Sequence, residues 1–77
     1  MGEIDKLRAR IDEIDMELIR LLEERARICR EIGDYKRKIG APIRVPEREA
    51  EVLRRAGPFS HIFQEIIRLC LEVEKAV

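Results

Sequence analysis

The chain has 77 residues, and its 16 Lys and Arg balance its 16 Asp and Glu at zero formal net charge, with 42% of residues charged. A chain of this length suits one domain, and so small a domain usually needs a staple or a partner to be stable. The balanced charge argues against a protein that coats nucleic acid, and no stretch approaches the roughly 18 uninterrupted apolar residues of a membrane span.

Two interruptions divide the chain into three helical segments: Gly40-Ala41-Pro42 through Pro46, and Gly57-Pro58. Neither Gly nor Pro suits a helix interior, so both read as connections. No alternating β-branched run offers a strand. The expected fold is all-α in one domain over 1–77, with helices near 3–39, 46–56 and 60–76.

In the first segment the apolar residues fall at Ile4, Leu7, Ile11, Ile14, Leu18, Leu21, Ile28, Ile32, Tyr35 and Ile39. Spacings of three and four alternate, apart from one gap after Leu21, which is a heptad pattern. Such a helix is roughly 50 Å long at its rise per residue. A compact chain of this size has a radius of gyration of only about 11–12 Å. The rest of the chain cannot cover the helix, so geometry alone implies an intertwined homodimer.

The second segment opens at Pro46, which suits the first helical position because it has no N–H to leave unpaired. Glu47 and Glu49 follow where negative charge favours the helix dipole, and Gly57-Pro58 ends the segment. In the third, Phe59, Phe63, Ile66, Cys70, Val73 and Val77 alternate four and three. Ser60 is a candidate N-cap. Ile62, Ile67 and Leu69 widen the stripe, so this helix is expected to be largely buried.

The gap in the first seam is Arg25, at an a position where the other a residues are Ile or Leu. An unpaired buried guanidinium costs several kcal/mol. Three readings fit: an anionic ligand inside the bundle, a polar residue that fixes helix register, or a side chain that snorkels to the surface. Lys36 lies eleven residues further, three turns plus about 20°, on nearly the same side and roughly 16 Å along the axis. Together the two could hold a small dianion; Lys36 alone would read as a solvated charge. Gly33 costs about 1 kcal/mol in mid-helix, which the close approach of a neighbour or ligand would explain. Arg8 precedes Arg25 by seventeen residues, about 25 Å. It can reach the Arg25 region only from an antiparallel partner, and on its own it reads as a surface charge.

Composition narrows the chemistry. Arginines outnumber lysines twelve to four, and Arg favours planar, bidentate contact with carboxylate or phosphate. His61 is the only histidine; it reads as a solvated residue at a helix start, and no metal site is expected. The first ten residues hold charges and no apolar run, so no export signal is expected. Cys29 and Cys70 therefore read as reduced thiols of a cytoplasmic protein, not as a disulfide. The absence of Asn and Thr, with a single Gln, fits a heat-adapted source.

These residues also carry a resemblance. Leu7-Arg8, Ile11-Asp12, Ile14-Asp15, Leu21-Leu22-Glu23-Glu24-Arg25, Ile32-Gly33 and Lys36 together resemble the first helix of the all-helical (type II) chorismate mutases. Pro42-Ile43-Arg44-Val45-Pro46-Glu47-Arg48-Glu49 resembles that family's loop and second helix, and Phe63-Gln64-Glu65-Ile66-Ile67 its third. The resemblance implies an isomerase of aromatic amino acid biosynthesis that rearranges chorismate to prephenate without cofactor or metal. It implies that Arg25, and Arg8 from the other subunit, clamp the substrate carboxylates. Lys36 would donate to the ether oxygen and a carboxylate, Arg48 would add positive potential, and Glu49 would accept from the ring hydroxyl.

Three positions depart from the family's pattern. Val45 stands where an acidic residue is frequent, Cys70 where a Ser is common beside a substrate carboxylate, and Glu74 where many members place a Gln that donates to the ether oxygen. A thiol is a weak donor, and a carboxyl group donates only when protonated. Two alternatives remain at this level: an isochorismate pyruvate lyase on the same fold, and a non-catalytic coiled-coil dimer. The chain could also be one domain of a larger enzyme of aromatic biosynthesis.

Overall fold

The computed structural model describes residues 2–76. Met1 and Val77, the last residue of the third apolar stripe, lie outside them. The described chain is all-helical: α1 spans Glu3–Ile39, α2 Pro46–Ala56 and α3 Ser60–Lys75, with a 3-10 turn at Gly57–Phe59 between the last two. The expected helix bounds hold to within one residue.

α1 runs unbroken for 37 residues. Glu3 and Asp5 stand at its positive end and Lys36, Arg37 and Lys38 at its negative end, which complements the dipole at both termini. Gly40 stops it in the left-handed conformation, φ 70°, which favours a residue without a Cβ. The Ala41 N–H then returns to the Lys36 carbonyl at 2.9 Å. Pro46 opens α2 from an extended Val45.

The junction at Gly57-Pro58 differs from the expected loop. Gly57 turns the chain at φ 56° and Pro58 starts a 3-10 turn. The 3-10 turn follows α2 directly and leads straight into α3, so the molecule consists of two helical stretches, the second bent at Gly57. Ser60 is not an N-cap. It is already helical, and its N–H bonds the Gly57 carbonyl inside the turn.

A second correction concerns the cysteines. Cys29 of α1 and Cys70 of α3 form a disulfide, with Cα atoms 5.4 Å apart. The two helices meet there face to face, and Cys29 is 4% exposed. The expectation of free thiols rested on compartment and had no access to this tertiary proximity. The bond closes a separation of 41 residues, which by loop-closure entropy stabilises a fold by about 4 kcal/mol.

The core within one chain is thin. Cys29 and Val52 are its buried apolar side chains among the described residues. α3 is less buried than expected: Ile62 and Leu69, with Phe59 of the turn before it, are exposed, because one chain offers only part of α1 and the short α2 to cover them. The radius of gyration is 16.2 Å and the long axis 57 Å, well beyond the about 11–12 Å radius of a compact chain of this size.

Candidate active site

α3 packs on the C-terminal half of α1, and α2 folds back over α3. Between them lies a cleft of about 400 Å³, within the ~300–1,000 Å³ of small-molecule sites. Its apolar wall comes from Ile28, Ile32, Val52, Ile67 and Leu71. Polar groups reach in from all three helices: Arg25 and Lys36 from α1, Arg48 and Glu49 from α2, and Glu74 from α3. Val45 and Cys70 complete the lining. All the expected site residues except Arg8 thus meet in one place. Arg8 is exposed on the far half of α1 and is not part of this cleft.

Lys36 and Glu74 form the centre of the polar set. The Lys36 Nζ donates to Glu74 Oε1 at 2.7 Å and to the Ile43 carbonyl at 2.6 Å. The second bond ties the α1–α2 connection to the end of α1. An ammonium has three N–H groups, so one remains to meet a ligand. Glu74 is 5% exposed. A carboxylate so buried needs a partner, and removing one member of such a pair costs about 3–5 kcal/mol.

The other oxygen, Glu74 Oε2, lies 3.2 Å from Cys70 Sγ. A disulfide sulfur carries no hydrogen, so this is a contact and not a bond donated by a thiol. The donor expected at position 70 is therefore missing while the disulfide is intact.

Arg25 is half-buried, and among the described residues it has no ion pair; Nη1 makes only a long 3.9 Å contact to Cys29 Sγ. Burial, and then the positive charge of Arg48, push its guanidinium below the ordinary arginine value. Two guanidinium groups therefore approach one cleft from facing helices. Arg48 is partly answered by Glu51, with which it pairs, and Arg25 by no carboxylate. Glu49 carries negative charge to the same cleft and is paired with Arg44 at 3.2 Å. An anion entering beside Arg25 would relieve both its desolvation and the repulsion from Arg48.

Gly33 has the close neighbour that its place in mid-helix suggested. A Cβ there would lie 2.7 Å from both the Cα and the carbonyl oxygen of Glu74, so Gly33 lets the α3 backbone rest on α1. Sequence reasoning missed two features: the disulfide, and Arg37, whose Nη1 donates to the Glu74 carbonyl at 2.6 Å. Arg37 carried no signal, since it is one of three consecutive basic residues in the last turn of α1. His61 is exposed, as expected. Among the described residues no cluster of three metal-ligating side chains occurs, and no helix is long and apolar enough to cross a membrane.

Residues 7–59 match the profile of the family described as chorismate mutase type II. The chain is 42% identical over 91 aligned positions to a bifunctional chorismate mutase/prephenate dehydratase of Aquifex aeolicus, covering 100% of this chain and 25% of that protein. It is 41% identical over 73 positions to a 3-dehydroquinate dehydratase of Pyrobaculum aerophilum, covering 95% of this chain and 24% of that one. The chain thus spans about a quarter of the length of these two relatives. Among solved structures, a conserved hypothetical protein from Pyrococcus furiosus superposes with a TM-score of 0.93 at 41% identity, covering 96% of this chain and 100% of that one. The chain belongs to the chorismate mutase type II family.

Proposed function

We propose that residues 1–77 form a single chorismate mutase domain, which converts chorismate to prephenate in the cytoplasm as part of phenylalanine and tyrosine synthesis. The observation that carries this reading is Arg25: a half-buried guanidinium without a carboxylate, facing a second cation across a small-molecule cleft. That arrangement calls for an anionic ligand, and family membership names a dicarboxylate.

The reaction is an isomerisation. The ether C–O bond breaks, a C–C bond forms between the enolpyruvyl carbon and the ring, and no atom is gained or lost. Negative charge grows on the ether oxygen as its bond to the ring stretches. Fixed donors aimed at that oxygen stabilise the transition state without reorganising. Lys36 supplies one, from an ammonium already held by Ile43 and Glu74. Arg25 clamps a carboxylate, and Arg48 adds positive potential. Clamping both carboxylates folds the side chain over the ring, which removes an entropic cost. Val45 offers no hydrogen bond, so Glu49 alone accepts from the ring hydroxyl.

Glu74 is the second donor to the ether oxygen and must be protonated to act. With the site empty it pairs with Lys36. Glu74→Gln keeps a donor in place and should match or exceed the wild-type kcat, whereas Glu74→Ala should lower it. Unchanged kcat in Glu74→Ala would remove Glu74 from the mechanism.

The working unit is a homodimer in which the partner subunit's Arg8 completes each cleft. The exposed stripe on α1, from Ile4 through Ile14 to Leu21, supports it, since large apolar patches mark interaction surfaces. The test is a direct assay. The purified protein should consume chorismate and form prephenate at equal rates. Pyruvate release from isochorismate, with chorismate untouched, would replace this reading with the lyase. No turnover of either would leave a structural coiled coil.

A further inference from the structure

We propose that Arg37 is a positioning residue for the reaction: it holds the last turn of α3 on α1 so that the Glu74 carboxyl stays in the cleft. The proposal rests on the mutase reading for its effect on rate, and on geometry alone for the contact.

Glu74 is the last residue but one of α3, which ends at Lys75. The final four carbonyls of a helix have no partner within it, and helix ends fray. The Glu74 carbonyl is one of these four. Its partner comes from another helix, as Arg37 Nη1 donates to it at 2.6 Å. The guanidinium is itself held, because its other amino nitrogen donates to Asp34 one turn earlier. A cation at a helix C-terminus also complements the dipole.

The neighbours of Arg37 act on the same residue. Lys36 binds the Glu74 carboxylate at 2.7 Å, while Arg37 binds its backbone. Gly33, one turn before, admits that backbone at a distance no Cβ would allow. Three residues within one turn and a half of α1 thus fix Glu74 by backbone and side chain. The disulfide anchors α3 one turn further back, at Cys70, and leaves the segment after it to this seat. Without Arg37 the terminal turn opens, and Glu74 spends most of its time away from the reacting oxygen.

The test uses the whole protein and three readouts. Arg37→Ala should lower kcat about tenfold to a hundredfold with KM nearly unchanged, and Arg37→Lys should recover part of the loss. In a Glu74→Ala background, Arg37→Ala should cost nothing further. Amide exchange at Glu74 and Lys75 should speed up in Arg37→Ala while α2 stays protected. Wild-type kcat in Arg37→Ala, an equal further loss in the Glu74→Ala background, or unchanged exchange at Glu74 would each overturn the proposal. If the wild-type protein turns over no chorismate, the mutase reading fails by that result. The exchange experiment then still decides whether Arg37 seats Glu74. Should Arg37→Ala fail to fold, Arg37→Met, which keeps the long stem and has no N–H donor, provides the same comparison.

Discussion

The two halves of α1 belong to one uninterrupted helix and live in different surroundings. From Glu3 to Leu21 every residue is exposed, including the Ile and Leu of the heptad stripe. From Leu22 to Arg37 the helix carries α3: a disulfide at Cys29, a bare backbone at Gly33, an ion pair at Lys36 and a carbonyl bond at Arg37. The chain therefore builds one wall set of a site and presents one unpaired arm. Exposed charge pairs such as Arg20 with Glu17 and Glu24 decorate the arm, and solvent screens pairs of that kind to a small net effect. They cannot account for a helix whose apolar stripe faces water. The proposed homodimer would give it a partner of the right length and pattern.

The largest expected effect belongs to the built half. Arg25→Ala should lower kcat/KM about a hundredfold to a thousandfold, as loss of an aimed charge donor does, while stability stays equal or rises because a poorly compensated charge leaves the interior. Steady-state kinetics and thermal melting on the same preparation separate the two. Unchanged catalysis with an altered oligomeric state would make Arg25 a register device.

Next comes the disulfide. Reduction, or Cys29→Ser, should cost about 2–4 kcal/mol of stability, measured by denaturant unfolding with and without a thiol reductant. The effect belongs to the built half, so it should appear as loosening of α3, read by amide exchange around Ile66 and Cys70, with the N-terminal arm unaffected. Equal midpoints in both conditions would mean that the bond does not form in solution.

Much of this division was legible in the residues. The heptad of α1, the Gly40 stop and Pro46 start fixed the long helix and its connection, because local propensity and periodicity act within a few residues. The mismatch between helix length and chain length pointed to the unpaired arm. Arg25 stood out because it broke a pattern. The Cys29–Cys70 bond and the Arg37 contact did not, because each depends on where α3 crosses α1 across 41 and 37 residues of chain. At Gly57-Pro58 the end of α2 was legible, but the 3-10 turn that leads straight into α3 was not, since Pro suits the first turn of a helix as well as a break.

The smallest effect concerns acid. The Arg20 guanidinium beside Glu17, and Arg48 beside Glu51, hold those two carboxyls below the usual carboxylate range. A carboxyl with a depressed folded-state value lends stability that is present above its unfolded value and lost as pH falls through the folded one. Stability should therefore decline slightly below about pH 4, and Glu17→Gln should remove a small part of that decline without touching activity. The two carboxyls are exposed, so a large acid sensitivity traced to either would contradict their role as surface pairs.

The sharing of sites between two copies can be read in one mixing experiment. Arg8→Ala chains and Arg25→Ala chains, each expected to have little activity alone, are unfolded together in equal amounts with reductant, refolded and reoxidised. In a heterodimer one cleft loses both arginines and the other keeps both. Random pairing in a two-fold dimer makes half the dimers mixed, so about a quarter of wild-type activity should return. No recovery in dimers confirmed as mixed by mass would contradict a cleft completed by the partner subunit's Arg8.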